Sequence, residues 1–193
     1  MKIVILSNFF NHHQKPLSDA LNRATESQFR FIATKCMDAE RKAMGWNIAE
    51  MPTYVLDANK SSMNEAEATD WIEKADLVLW GDAPRKYVKK RLKKKKMTVR
   101  CTERIFKKGF SAREFWPRAV LHWWLNRDCK GQYLFAMSAY AARDYERIGR
   151  FRNGAYRWGY FTETKRYDLS ELFQKKKKQN PPIILWAGRL IGW

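Results

Sequence analysis

Seven short apolar runs of strand length, alternating with stretches of helical spacing, set the tightest limit on how this chain can fold. The runs fall at about residues 2–7, 29–33, 53–56, 76–81, 97–101, 132–137 and 155–158. Strand and helix signals that alternate in this way point to an α/β protein with a mainly parallel sheet. Pro16 suits a first helical turn, and Leu17, Ala20, Leu21 and Ala24 then repeat at helical spacing. A second helical pattern, rich in Ala and Glu, spans 64–75. Pro84 opens a third over the strongly basic stretch 85–96, where Tyr87, Val88 and Leu92 form a narrow apolar stripe and the lysines face water. The expected fold is a doubly wound, Rossmann-like domain over residues 1–161.

The pattern changes at 162–181, a polar and basic stretch ending in Lys-Lys-Lys-Lys-Gln-Asn-Pro-Pro that reads as an interdomain linker. Ile183-Ile184-Leu185-Trp186-Ala187 is a new buried-strand signal. A strand with no helix after it cannot complete a βαβ unit, so 182–193 reads as the start of a second domain that is cut short.

Composition narrows the function classes. Hydrophobic residues make up 45% of the 193 and aromatics 15%, too much apolar mass for a disordered chain. Cys36, Cys101 and Cys129 lack the paired spacing of a zinc or redox site and read as reduced core residues. The opening Met-Lys-Ile-Val-Ile-Leu-Ser has no signal-peptide features and no stretch approaches a membrane span, which points to the cytoplasm. The net charge of +18 draws anionic partners. Lys89, Lys90, Arg91 and Lys93, Lys94, Lys95 and Lys96 supply seven of those charges, and Lys175–Lys178 four more.

The order strand, loop, helix over Ile3-Val4-Ile5-Leu6-Ser7-Asn8-Phe9-Phe10-Asn11-His12-His13-Gln14-Lys15-Pro16 resembles the opening of GT-B glycosyltransferases of the glycogen-synthase and mannosyltransferase clan. Met137-Ser138-Ala139-Tyr140-Ala141-Ala142-Arg143-Asp144-Tyr145, then Gly149, then Tyr156-Arg157-Trp158-Gly159-Tyr160-Phe161 is similar to the way that clan closes its first domain. Pro-Pro-Ile-Ile-Leu-Trp-Ala-Gly-Arg-Leu-Ile at 181–191 resembles the first strand and loop of its second domain. The resemblance implies the acceptor-side half of an enzyme that moves a sugar from a nucleotide diphosphate to a glycan or lipid-linked acceptor, in cell-surface polysaccharide synthesis. The nucleotide sugar is then a co-substrate and no other cofactor is implied. With the donor side missing, this chain alone is expected to transfer no sugar.

Several residues stand where such chemistry would sit. Asn11, His12 and His13 follow the first strand, at the crevice edge of a doubly wound sheet, where histidines can donate to a sugar hydroxyl or phosphate. The bland alternative has one histidine capping the next helix and the other in water. Glu103 ends the fifth strand, where many clan members present a histidine to the reacting sugar; a carboxylate there would orient the acceptor or stabilise charge at the anomeric carbon. An ion pair with Arg104 or a nearby lysine explains it equally well. Asp82 is a crevice candidate, though an N-cap for the helix near Pro84 is the favoured reading. By the resemblance, Gly188 and Arg189 hold the donor diphosphate. No metal site is expected.

Trp116, Val120, Trp123, Trp124 and Arg127 fall on one helical stripe. It either packs against the sheet or, with Lys93 to Lys96, meets anionic lipid on the inner face of the cell membrane as a peripheral contact. Two rivals remain: a basic nucleic-acid-binding module, for which no recognised signature is present, and a regulatory Rossmann-type phosphate- or nucleotide-binding domain. Nucleic acid is not the expected partner.

Overall fold

A computed structural model describes residues 1–107, 112–127, 132–151, 154–164 and 166–177. All seven expected strands form: β1 (Ile3–Ser7), β2 (Phe29–Ala33), β3 (Val55–Asp57), β4 (Leu77–Trp80), β5 (Thr98–Thr102), β6 (Tyr133–Ala136) and β7 (Ala155–Arg157). They make one sheet in the order β3-β2-β1-β4-β5-β6-β7, and every pairing is parallel. The helices are α1 (Lys15–Ala24), α2 (Ala39–Ala43), α3 (Ser62–Lys74), α4 (Lys89–Lys93), α5 (Ala112–Leu125), α6 (Ala141–Arg147) and α7 (Leu169–Lys177). The chain divides into two compact units, residues 1–162 and 163–193.

Strand alternation assigns each side chain to one of two cores. Ile3, Phe29, Phe31, Ala33 and Tyr54 share one with Leu21 of α1. Val4, Leu6, Ile32, Val78, Trp80, Leu134 and Ala136 face the other, which is closed by Ala68 and Ile72 of α3, Leu92 of α4, Ala119 of α5 and Tyr145 of α6. Helices therefore lie on both faces of the sheet, as a doubly wound fold requires. Phe29 and Phe31 are fully buried, and each such side chain contributes about 1.5–3 kcal/mol.

The strand order reverses between β1 and β4, which opens the sheet at its carboxyl edge where ligands of doubly wound proteins sit. Gly81 makes the close approach possible. A Cβ there would meet Leu6 O and Ser7 Oγ, each at 3.3 Å.

One expectation needs correction. The basic stretch 85–96 is not one continuous helix: a 3₁₀ turn at Arg85–Tyr87 precedes the five-residue α4. Its lysines are exposed as expected, whereas Arg91 is fully buried. Its guanidinium donates to Ile72 O (2.7 Å), Ala75 O (2.7 Å), Met97 O (2.7 Å), Asp76 O (3.4 Å) and Thr98 Oγ1 (3.2 Å). It thereby ties the last turn of α3, rich in unpaired carbonyls, to the starts of β4 and β5. Burial lowers its pKa, with Glu73 and Asp76 opposing.

The basic stretch 162–181 contains a helix of its own. α7 forms within it, capped by Asp168, whose Oδ1 accepts from Ser170 N (2.8 Å) and Glu171 N (3.1 Å). Glu171 pairs with Lys175 at 2.6 Å, and Lys175, Lys176 and Lys177 occupy the last turn, where the helix dipole favours cations. Residues 182–193 lie outside the described residues. Among the described residues no helix is long and apolar enough to cross a membrane.

Candidate functional site

The loops that leave the carboxyl ends of β1, β4, β5 and β7 carry the site candidates. In the β1 loop Asn11 is buried and makes the turn itself: its Oδ1 accepts from His13 N (2.9 Å), while its own N–H donates to Gln14 Oε1 (3.2 Å). Asn11 therefore shapes the loop rather than facing a ligand. The N-cap of α1 is Gln14 and no side chain caps it, so neither histidine serves that purpose. The rings of His12 and His13 lie 3.9 Å apart and both meet Trp46 edge-on, at 6.0 and 5.5 Å. Burial, aided by His12, lowers the pKa of His13 and keeps its imidazole neutral near pH 7.

Tyr160, in the loop after β7, reaches this group. Its ring centre is 6.3 Å from that of His13, and its hydroxyl donates to Glu103 Oε1 at 2.9 Å. Lys107 donates to the other carboxylate oxygen of Glu103. The Lys107 bond first, and the Tyr160 bond second, hold the Glu103 carboxyl below its ordinary value. Partial burial and the bond to Glu103 push the Tyr160 phenol up to about 12. The pair is thus a fixed donor beside a fixed carboxylate. The ion pair with a nearby lysine thus forms at one carboxylate oxygen, and the other accepts from Tyr160.

Arg104 pairs with Asp144. Its Nε donates to Asp144 Oδ2 at 3.2 Å, an oxygen that also accepts from Phe106 N at 3.3 Å. Asp144 is buried on α6 and anchors the loop that presents Glu103. Asp82 does not cap the helical turn after Pro84, which has no side-chain cap; it accepts instead from Asn8 Nδ2 at 3.4 Å across the β1–β4 opening. Arg100 lies below it, 4.3 Å over the Trp80 ring and bonded to Gly81 O. Beside these loops a polar cleft of about 400 Å³ is lined by Thr34, Asn59, Ser61, Glu65, Lys86 and Tyr87. Lys86 and Glu65 pair across it at 2.7 Å.

Elsewhere, Trp116, Trp123 and Trp124 point outward from α5 and do not pack on the sheet. Lys93 to Lys96 are exposed, with Lys94 and Lys90 each 3.4 Å from Glu73. Cys36 is an exposed free thiol, contrary to the core reading, because it follows β2 in the loop and accepts from Asn59 Nδ2 at 3.3 Å. Cys101 is free and half-buried, and its thiol is pushed up to about 12 by burial. Gly188, Arg189 and Cys129 lie outside the described residues. Among the described residues no group of three or more His, Cys, Asp or Glu could hold a metal ion.

Tyr160 and Asp144 fall within the motifs that carry the resemblance but were given no site role, and Trp46 was not singled out. Tyr160 had one usable signal, its place just after a strand end; Trp46 had none. Fold and site together define a doubly wound α/β domain with an aromatic, histidine and carboxylate cluster at its carboxyl edge. Comparison with family models, with curated proteins and with solved structures returns no match.

Proposed function

We propose that this chain is the acceptor-side domain of a sugar-transferring enzyme of the GT-B kind. The observation that carries this reading is the hydrogen bond from Tyr160 to Glu103, 57 residues away in sequence, which joins the β5 and β7 loops beside His13. Sugars are recognised by such sets: a carboxylate accepts from hydroxyls, a neutral imidazole donates or accepts, and an aromatic ring covers the C–H face. The order of the clan-like motifs along the chain supports the same reading.

In this proposal Glu103 remains ionised and accepts from the attacking hydroxyl of the acceptor, aligning it with the donor sugar. Its charge also favours the positive anomeric carbon of the transition state. Tyr160 and Lys107 fix the carboxylate in place. His13 and Trp46 bound the acceptor position on the β1 side, and Asp82 closes it at the β4 end. The nucleotide-sugar donor is the co-substrate, held by other residues, and the acceptor is a glycan or lipid-linked sugar.

The test is calorimetric titration of the protein with a panel of simple methyl glycosides. A binding sugar is expected, with Glu103→Gln and Tyr160→Phe each weakening it about tenfold, the loss typical of a charge-assisted hydrogen bond. Failure of every sugar to bind, or binding indifferent to both substitutions, would overturn the proposal.

A further inference from the structure

Helix α5 is apolar beyond the side that it buries. Phe115 and Ala119 pack into the core. The outer side exposes Trp116 (67%), Val120 (61%), Trp123 (49%) and Trp124 (52%). At about 100° per residue these four form one stripe, with Arg113 and Arg127 at its two ends. The Arg127 guanidinium lies 4.2 Å over the Trp124 ring, and that of Arg150 lies 4.3 Å over Trp123 while its Nε donates to Trp123 O at 3.0 Å. A surface helix of a water-soluble domain ordinarily turns polar residues outward. A contiguous exposed apolar ridge marks a face that something covers.

We infer that this face of α5 docks on a bilayer that contains anionic lipid. The chemistry of the ridge selects that occupant. Indoles favour the zone between headgroups and acyl chains, and guanidinium groups beside them meet lipid phosphates at the same depth. A fluid surface yields to protruding indoles, whereas a rigid partner needs a matching groove. A second copy of the chain is disfavoured by charge, since pairing the ridges would bring arginines of both copies together on a protein of +18. Nucleic acid would use the indole faces for stacking, and one face of Trp123 and one of Trp124 already carry a guanidinium. This inference does not depend on the sugar-transfer reading, and its test involves no sugar.

The experiment is co-sedimentation of the whole chain with phosphatidylcholine vesicles and with vesicles of about three parts phosphatidylcholine to one part phosphatidylglycerol. Binding only to the anionic vesicles is expected, with release as salt rises. The double substitution Trp116→Ala, Trp124→Ala should lower that binding about tenfold while leaving the melting temperature unchanged, because both rings are exposed. Brominated lipid should quench the fluorescence of the wild type, with its nine tryptophans, more than that of the double variant. Equal partition into both vesicle types would overturn the inference. So would anionic binding that ignores the tryptophan substitutions, which would assign adsorption to Lys93–Lys96 alone. RNA or protein binding that depends on the same two tryptophans, with vesicles left unbound, would hand the face to another partner.

Discussion

The basic segment 85–96 and the aromatic segment 112–127 lie against the same sheet face, and each reverses what its side chains suggest. The first is the most charged part of the chain, yet it buries Arg91 completely along with Val88 and Leu92. The second carries three tryptophans, the bulkiest apolar residues available, and leaves all three about half exposed to water or more. The difference lies in what each segment is placed against. α4 sits over the last turn of α3, whose carbonyls need donors, so a guanidinium is the better filling there. α5 has already closed the core with Phe115 and Ala119, and nothing in the sheet remains for its outer side to cover.

The sharpest way to break this contrast is to remove the buried cation. Arg91→Met should destabilise the domain by about 3–5 kcal/mol, as expected when one side of a buried charged network is lost. Arg91→Lys should recover only part of it, since one ammonium cannot serve five acceptors spread over two strands and a helix end. Urea titration followed by circular dichroism measures both. A loss within about 0.5 kcal/mol, the range for ordinary surface positions, would show that Arg91 is solvated after all.

Asp144→Ala comes next, with an expected loss of about 2 kcal/mol from its charged hydrogen bonds to Arg104 and the backbone of Phe106. It should also weaken sugar binding although Asp144 is not at the site, because the loop bearing Glu103 loses its anchor. Stability lost with sugar affinity intact would separate the two.

A smaller effect should appear on acidification. His13 and His122 both have lowered pKa values, His122 chiefly through burial, with Arg100 and Arg118 adding to it. In the folded state they resist protonation more than in the unfolded chain. Their contribution is therefore full above the ordinary value of 6.5 and is lost as pH falls from there through the lowered folded values. His122→Phe should flatten that part of the stability profile, read as melting temperature against pH. The smallest expected stability change is that of Trp116→Ala, within about 0.5 kcal/mol, which thermal melts would check.

How much of this was legible in the sequence depends on range. The seven strands stand out because apolar runs such as Leu77–Trp80 are a local signal, and the boundaries move by only a residue or two. α2 was not legible, since five residues are too few to show a helical period. α7 was hidden by its lysines, although Asp168 and Glu171 spell a helix start. The site was visible only as separate pieces. Glu103 and His13 could be nominated one by one from strand ends, but their meeting depends on Tyr160 crossing from β7, and no local pattern encodes that. The burial of Arg91 was illegible for a like reason: its acceptors are backbone carbonyls, which every residue has.

The claim that the β1, β5 and β7 loops form one sugar-binding edge is tested most directly by nuclear magnetic resonance mapping of backbone and side-chain shifts during titration with the tightest-binding methyl glycoside. The account predicts that His13, Trp46, Glu103, Lys107 and Tyr160 shift together with a single affinity, and that Glu103 stays ionised throughout. Shifts confined to the polar cleft around Thr34, Glu65 and Lys86, with Glu103 and Tyr160 unmoved, would contradict it.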